Sequence, residues 1–353
     1  MIKRRRSRQI KVGRVKIGGS ASISMQSMVK VETRDVSKVV SQIKALERCG
    51  CEIIRVAVKN LEDADAIKQI KRNIKIPLVA DIHFDHRLAL AAIENGADKI
   101  RLNPGNIKKR GDIETVIKAA RSAKIPIRIG VNSGSVAKSQ SHKVTGSQSD
   151  LLVKVALGYI KIFEDMNFRD IIISLKGSDV TGTVNAYKRI AELCDYPLHL
   201  GITASGPYNY GIVKSAIGIG ALLLDGIGDT IRVSLTADPV EEVVAAKRIL
   251  GSLGLRKFGP DIISCPTCGR CQVDLVKIVE QLEKMLSAIR YPLSAKSPVT
   301  IAMMGCEVNG PGEAKEADIG IAFGKNSGLL FKKGKIVKRV TVRDAIKELL
   351  KNI

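Results

Sequence analysis

Four of the seven cysteines stand near the C-terminus. Cys265, Cys268 and Cys271 form a Cys-x2-Cys-x2-Cys run, and Cys306 follows at a distance within Gly305-Cys306-Glu307-Val308-Asn309-Gly310-Pro311-Gly312-Glu313. Thiolates three residues apart can converge on one centre, so this spacing points to a metal rather than to disulfides. Zinc and iron–sulfur chemistry both suit the donors. Structural zinc sites usually show two Cys-x2-Cys pairs, and the second pair is missing here. The triple run is close to part of a ferredoxin-type cluster, without the proline that follows its last cysteine. Taken alone, the four thiolates would close a saturated centre. A catalytic centre needs one exchangeable position, and Glu313 is a carboxylate that a substrate displaces more readily than a thiolate. Its plainer reading is an exposed acid favoured at a helix N-terminus. Cys49, Cys51 and Cys194 are scattered.

A second set of chemical residues lies inside apolar runs. Arg55, Arg101, Arg128, Lys176 and Arg232 each interrupt or end a stretch that reads as a strand. Burying an unpaired cation is unfavourable. Only Asp81 and Asp225 are evident carboxylate partners, too few for five cations. Strands that converge on a polyanion would explain the excess, since guanidinium forks match phosphate oxygens. Polar residues at strand ends support this. Asp81 and His83 fall two apart on one side of a strand, and Asn103, Asn132, Ser174, His199 and Thr203 occupy similar ends. A lone histidine there is more often a structural hydrogen-bonder; two of them, both at strand ends beside cations, are as readily direct ligand contacts.

The elements that would position these residues alternate. Strand-like runs over 24–28, 53–58, 77–83, 99–102, 127–131, 170–175, 198–203 and 230–234 are separated by amphipathic stretches such as 35–48, 60–73, 85–95 and 113–123. Alternating strands and helices predict right-handed βαβ units and a parallel sheet. Eight of them predict a (β/α)8 TIM barrel, whose chemistry sits at the C-terminal ends of the strands. A doubly wound sheet is the alternative, but no G-x-G-x-x-G follows the first strand. Residues 137–149, rich in Ser and Lys, read as a βα loop. After a basic Gly/Pro linker at 256–260, a helix over 273–289, strands over 299–304 and 318–323, a strand pair at 329–331 and 336–341, and a closing helix at 342–351 predict a small α+β domain. The expected domains are 1–257 and 258–353.

The chain has 353 residues, no Trp and 3% aromatics, so the core must be aliphatic. No apolar run reaches the roughly eighteen residues of a membrane span, and no apolar segment follows the basic N-terminus, so the expected location is cytoplasmic. The net charge of +23 fits a solvated surface, an anionic substrate or an acidic partner. Nucleic acid is the weakest reading, because no stacking aromatics interleave with the basic residues. A phosphate-binding barrel lyase or transferase with a structural metal remains a competing reading, as does a zinc-containing nucleic-acid binder.

Several stretches together resemble 4-hydroxy-3-methylbut-2-enyl diphosphate synthases, the iron–sulfur reductases of the methylerythritol phosphate route. These include Gln26-Ser27-Met28, Ala80-Asp81-Ile82-His83-Phe84, Arg101-Leu102-Asn103-Pro104-Gly105-Asn106, Arg128-Ile129-Gly130-Val131-Asn132-Ser133-Gly134-Ser135, Ser174-Leu175-Lys176, His199-Leu200-Gly201-Ile202-Thr203, Thr230-Ile231-Arg232-Val233-Ser234, Cys265-Pro266-Thr267-Cys268-Gly269-Arg270 and the Cys306–Glu313 turn. The resemblance runs in family order over nearly the whole chain. It implies a barrel that binds 2-C-methyl-D-erythritol 2,4-cyclodiphosphate, with Arg55, Asp81, His83, Arg101, Asn103, Arg128, Asn132, Ser174, Lys176, His199, Thr203, Arg232 and Ser234 as binding residues. It also implies a [4Fe-4S] cluster on Cys265, Cys268, Cys306 and a displaceable Glu313 in a catalytic role; His83 is a candidate catalytic proton source of this chain's own, beside water. Reduced ferredoxin or flavodoxin is the implied electron donor. The implied assembly is a head-to-tail homodimer whose site is shared between subunits, with no nucleic acid and no membrane. The chain departs from the family pattern twice. Cys271 is an extra thiol, expected to stay unligated. Ala204 stands where the family has Glu, its proposed proton donor.

Overall fold

The structure, a computed structural model, describes residues 2–103, 106–107, 109–134, 147–203, 205–288, 299–306, 314 and 316–352. The chain divides into two compact units, Met1–Arg256 and Lys257–Ile353.

The first unit begins with an antiparallel hairpin, β1 (Ile10–Val12) and β2 (Val15–Ile17). Eight strands follow among the described residues, most of them trailed by a helix: β3 (Ser24–Met28), α1 (Val36–Arg48), β4 (Ile53–Val58), α2 (Leu61–Asn73), β5 (Leu78–Ile82), α3 (His86–Glu94), β6 (Lys99–Leu102), α4 (Arg110–Ser122), β7 (Ile127–Asn132), α5 (Gln148–Asp165), β8 (Ile171–Lys176), α6 (Val180–Leu193), β9 (His199–Leu200), α7 (Tyr208–Leu224), β10 (Thr230–Ile231) and α8 (Pro239–Ser252). The strands are all parallel, in the order β8-β7-β6-β5-β4-β3-β10-β9. A parallel bridge from Ile173 to Leu198 joins the two ends of this order. The result is the expected (β/α)8 TIM barrel. Side chains from Asp35, Asn60, Asp85, Ser147, Asp179 and Asp238 accept backbone N–H bonds at the starts of their helices, which satisfies donors a helix cannot satisfy itself.

Strand alternation decides what faces inward. At the N-terminal end, Ile53, Val79 and Ile172 pack with Ile10, Val12 and Ile17 of the hairpin, so an aliphatic plug seals the barrel floor. The hairpin had no counterpart in the sequence reading; its strands are too short for a periodicity to register. An arm ahead of it is tied to the barrel. Arg5 N–H donates to Gly226 O at 2.9 Å, and Arg5 guanidinium nitrogens reach the carbonyls of Cys194 and Tyr196. Asp229 accepts from Leu198 N–H at 2.8 Å and Ser7 Oγ at 2.8 Å, and pairs with Arg4 at 3.2 Å.

The second unit holds a five-stranded mixed sheet in the order β11-β12-β13-β14-β15. Its elements are β11 (Asp261–Ser264), α9 (Leu275–Ala288), β12 (Thr300–Met304), β13 (Ile319–Phe323), β14 (Ser327–Lys332), β15 (Lys335–Thr341) and α10 (Ala345–Leu350). The first three strands are parallel and the last two antiparallel. Leu275, Leu282 and Leu286 of α9 and Ala345 and Leu349 of α10 pack with Ile301, Met303, Ile321 and Leu330 of the sheet. Each such buried Leu, Ile or Met side chain stabilises by about 1.5–3 kcal/mol. Strand β11 was not anticipated, because it runs directly into the cysteine run and shows no alternation. Residues 137–146 of the expected loop lie outside the described residues. The helix after it begins at Gln148, so the predicted loop end at 149 falls slightly late.

Candidate active site

Period-two alternation along the barrel strands carries one polar residue after another inward. In β4, β6, β7, β8 and beyond β10 these are Arg55, Arg101, Arg128, Lys176 and Arg232, the five cations singled out in the sequence. Register confirms that they share neighbouring levels: Asp81 pairs with Arg101, Arg101 with Arg128, and Asn132 with Lys176. They line one cavity of about 230 Å³ with Met28, Asp81, His83, Asn132, Ser174, Thr203 and Ser234. Most lie at or beyond the C-terminal strand ends, where a barrel of this class presents its chemistry.

The electrostatics of this cavity are lopsided. Among the described residues Asp81 is its single lining carboxylate, 3.0 Å from Arg101 and 3.7 Å from Arg55. Burial by itself would raise the Asp81 carboxyl, but Arg55 and Arg101 together hold it well below the ordinary carboxylate range. The second acid is one the sequence reading missed. Glu242, at the start of α8, lies behind the cavity wall, 1% exposed, 3.6 Å from Arg232 and 3.1 Å from Lys30. It also accepts from Ser27 Oγ and Leu235 N–H, each at 3.1 Å. The expected partner Asp225 sits elsewhere. It caps the C-terminus of α7, is half exposed and pairs with Lys188 at 2.8 Å. A carboxylate at a helix C-terminus lies at the strand-entry end of a βα unit, away from the mouth.

Among the described residues, one lining carboxylate and one behind the wall thus stand against five lining cations, and the cations respond. Burial is the main reason that the Lys176 amine is pushed well below its ordinary value, with Arg128 and Arg232 adding repulsion. Burial likewise lowers Arg128, with Arg55 and Arg101 adding to it, and lowers Arg55 to about 9. Arg101 Nε, Arg128 Nε and Nη1 and Arg232 Nε are buried without a hydrogen-bond partner. Unmet buried donors are each unfavourable by about 1–3 kcal/mol. A phosphate-rich ligand would supply the charge and the acceptors that these donors need.

His83 stands at the rim, its side chain 42% exposed. Its Nε2 is 3.4 Å from both Asp81 Oδ2 and Arg101 Nη1, and its Nδ1 is 3.4 Å from Asn106 Nδ2. His199 and Asn103 are not on the cavity wall. His199 pairs in register with Thr230, one inward level beneath Arg232, and is fully buried. Burial, with Arg128 and Lys176 nearby, lowers its ring well below the usual histidine value. Asn103 is 2% exposed at the end of β6. Sequence reading also passed over Lys99, fully buried on the inner face of its strand, and Met28, whose sulfur lies 2.9 Å from Arg55 Nη2. Lys99 opens a strand, where a charge looks like an ordinary solvated end; Met28 carries no polar signal at all.

The cysteine run forms a cavity of its own in the second unit, lined by Cys265, Pro266, Thr267, Cys268, Arg270, Cys271, Gly305 and Cys306. Cys265 follows β11 and Cys306 follows β12, and these strands are parallel neighbours, so the fold brings the distant thiol to the run. Cys265 Sγ accepts from Gly305 N–H at 3.3 Å. Cys268 is exposed, and the N–H of Arg270 leads the interactions that lower its thiol. Thiols and backbone N–H groups directed at sulfur are the donor chemistry that an iron–sulfur cluster would need. Cys265, Cys268, Cys271 and Cys306 all line the cavity, although among the described residues no three such side chains are grouped as a metal ion would require. Glu313, the fourth expected ligand, and Ala204 lie outside the described residues.

Two family models match the chain: the GcpE TIM-barrel domain over residues 7–247 and the GcpE protein C-terminal domain over residues 261–353. Relatives named 4-hydroxy-3-methylbut-2-en-1-yl diphosphate synthase (flavodoxin) match nearly end to end. That of Caldanaerobacter subterraneus subsp. tengcongensis is 54% identical, over 100% of this chain and 98% of its own length. That of Clostridium perfringens is 52% identical over 99% of both. The chain belongs to the GcpE family of enzymes. Dihydropteroate synthase from Stenotrophomonas maltophilia is similar to 70% of this chain and 98% of its own, with a TM-score of 0.54 at 16% identity. That of Yersinia pestis has a TM-score of 0.50 at 11% identity over the same shares. These two likenesses concern the barrel fold alone.

Proposed function

We propose that the chain converts 2-C-methyl-D-erythritol 2,4-cyclodiphosphate to (E)-4-hydroxy-3-methylbut-2-enyl diphosphate, opening the ring and losing a hydroxyl as water. The balance needs two electrons and two protons. The observation that carries this reading is the cavity of five cations against one lining carboxylate, in a chain whose relatives bear the synthase name throughout. Arg101, Arg128, Lys176 and Arg232 hold the two phosphates, and Arg55 and Asp81 fix the neighbouring guanidinium positions. Asn132, Ser174, Thr203 and Ser234 offer neutral hydrogen bonds to the carbon skeleton's oxygens and to phosphate. His199 and Asn103 support these residues from behind the wall. We assign to His83, exposed at the rim and 3.4 Å from Asp81, Arg101 and Asn106, delivery of a proton to the departing hydroxyl, a role left open by Ala204.

A [4Fe-4S] cluster, when bound by Cys265, Cys268, Cys306 and Glu313, supplies electrons singly at low potential. Reduced flavodoxin is the donor named for the relatives. The +23 charge favours approach of such an acidic partner. We further propose a cytoplasmic homodimer in which the barrel of one subunit is served by the cluster unit of the other. Among the described residues, no helix is long and apolar enough to cross a membrane.

The test is anaerobic. Protein reconstituted with iron and sulfide, given reduced flavodoxin and the cyclodiphosphate, should turn over to the linear diphosphate by phosphorus NMR. Colourless, zinc-loaded protein without this conversion would overturn the assignment.

A further inference from the structure

The thiol cavity holds a sulfur to which the reading above gives no task. Cys271 lines the same cavity as Cys265, Cys268 and Cys306. Its position relative to Cys265 is defined by Gly305. A Cβ built on Gly305 would meet Cys271 Sγ, Leu275 Cδ2 at 3.4 Å and Cys265 Sγ at 3.5 Å, with the Cys271 sulfur the nearest of the three. The two sulfurs thus flank one point that no side chain occupies. Gly305 does not need to be glycine for its backbone, since it is absent from the residues with positive φ. Its missing side chain leaves the sulfurs room to meet.

The surrounding backbone keeps them there. Cys271 N–H donates to Cys268 O at 2.9 Å, which turns the run back on itself, and Gln272 N–H donates to Gly305 O at 2.9 Å, which pins the end of the run beside β12. Cys271 Sγ lies 3.2 Å from Val273 O, and Cys265 Sγ accepts from Gly305 N–H. Both thiols are intermediate in exposure, open to a small reagent.

We propose that Cys265 and Cys271 are a reversible thiol pair: in the metal-free protein, a low-molecular-weight disulfide oxidises them to an intramolecular disulfide. The Cys271 thiolate attacks one sulfur of the reagent and releases one small thiol. The Cys265 thiolate then displaces the second, forming the Cys265–Cys271 bond as the mixed disulfide breaks. The two protein protons leave with the two released thiols, so one disulfide is exchanged for another. The bond guards a ligand thiol from over-oxidation to sulfinic acid, which is not reversed by thiols. Only this protective consequence rests on the cavity's being a metal site; the exchange chemistry rests on the sulfur positions.

The sequence makes the test direct. Trypsin cuts after Lys257, Arg270 and Lys277, so Phe258–Arg270 and Cys271–Lys277 separate unless a disulfide joins them. Full-length protein stripped of metal and equilibrated with oxidised glutathione should give the joined pair in non-reducing digests. Fragment ions should place the bond at Cys265, Cys268 should remain open to alkylation, and dithiothreitol should release both peptides. Cys271→Ser should abolish the pair and leave glutathione on Cys265. A bond from Cys268 instead, or separate glutathione adducts on Cys265 and Cys271, would overturn the proposal. Its failure would leave the turnover assay untouched, and failure of turnover would leave these peptides to be read as they are.

Discussion

Lys176 shows what a single residue in this cavity is asked to do. Its amine is buried among guanidiniums, and a diphosphate would relieve that crowding. A base whose pKa is depressed without an anion and restored with one must gain protons as the anion binds. The window runs from the depressed value up to the ordinary lysine value of about 10.4, and within it affinity rises as pH falls. Calorimetry with the cyclodiphosphate at slightly alkaline pH should therefore show a binding enthalpy that varies with the buffer's ionisation enthalpy, in the sense of proton uptake. A buffer-independent enthalpy would place Lys176 outside the phosphate shell. Lys176→Met should lower affinity about 10–100-fold, the worth of one or two charge-assisted hydrogen bonds. A second single-residue outcome concerns the missing acid. Ala204→Glu should raise turnover by about tenfold or more, within the usual range for a general acid; an unchanged rate would mean that no carboxylate is wanted there. At this scale the sequence was legible wherever a charge broke an apolar run, as with Arg101 and Arg128. It was illegible where the cue was absent. Glu242 looks like any acid in the first turn of a helix, and only its tertiary placement against Arg232 and Lys30 sets it apart.

The elements succeed because most barrel strands are short runs buried along nearly their whole length, and most helices carry a capping side chain at their start. Strands over 24–28, 53–58 and 99–102 coincide with the sequence reading residue for residue. Strands β9 and β10 are only two residues each, although apolar runs continue beyond both. Pattern shows which residues face inward but not where hydrogen-bonded pairing stops. Glycines at inner-face positions make room for the cations. A Cβ on Gly130 would come within 2.5 Å of Arg101 Nε, and one on Gly201 within 2.6 Å of both Lys176 Nζ and the Arg232 carbonyl. Gly130→Ala must push Arg101 aside, since the neighbouring atom is the end of a flexible side chain. It should preserve folding, seen as an unchanged circular dichroism spectrum, while substrate affinity falls. Gly201→Ala meets backbone as well, and should lower stability by about 1–3 kcal/mol in a urea titration. Equal behaviour of the two variants would refute this distinction.

Across the barrel unit, stability and function draw on opposite ends. The floor is aliphatic and tied down by the N-terminal arm, with Asp229 as its knot, 2% exposed and bonded to Arg4, Ser7 and Leu198. Asp229→Ala leaves those donors unmet and should destabilise the protein by about 3 kcal/mol. Asp225→Ala, which removes only an exposed pair with Lys188, should change it by less than about 1 kcal/mol. Denaturant midpoints for the pair check both values. The barrel class and the mixed second domain were readable from the order of elements. The arm's attachment was not, since Arg4 and Arg5 show in the sequence only as part of a basic N-terminus, and their partners lie far along the chain at residues 191–229.

The crowded cations carry a consequence for the life of the protein in the cell. Self-repulsion weakens the barrel, and a bound anion offsets it; at a hundredfold excess over Kd, a ligand adds about 2.7 kcal/mol to folding stability. That is enough to change the fraction open to proteases by about a hundredfold. Inorganic pyrophosphate should raise the melting temperature, while chloride at equal ionic strength should not. When precursor runs short, the protein should be degraded faster, so its abundance would follow the supply of the molecule it consumes.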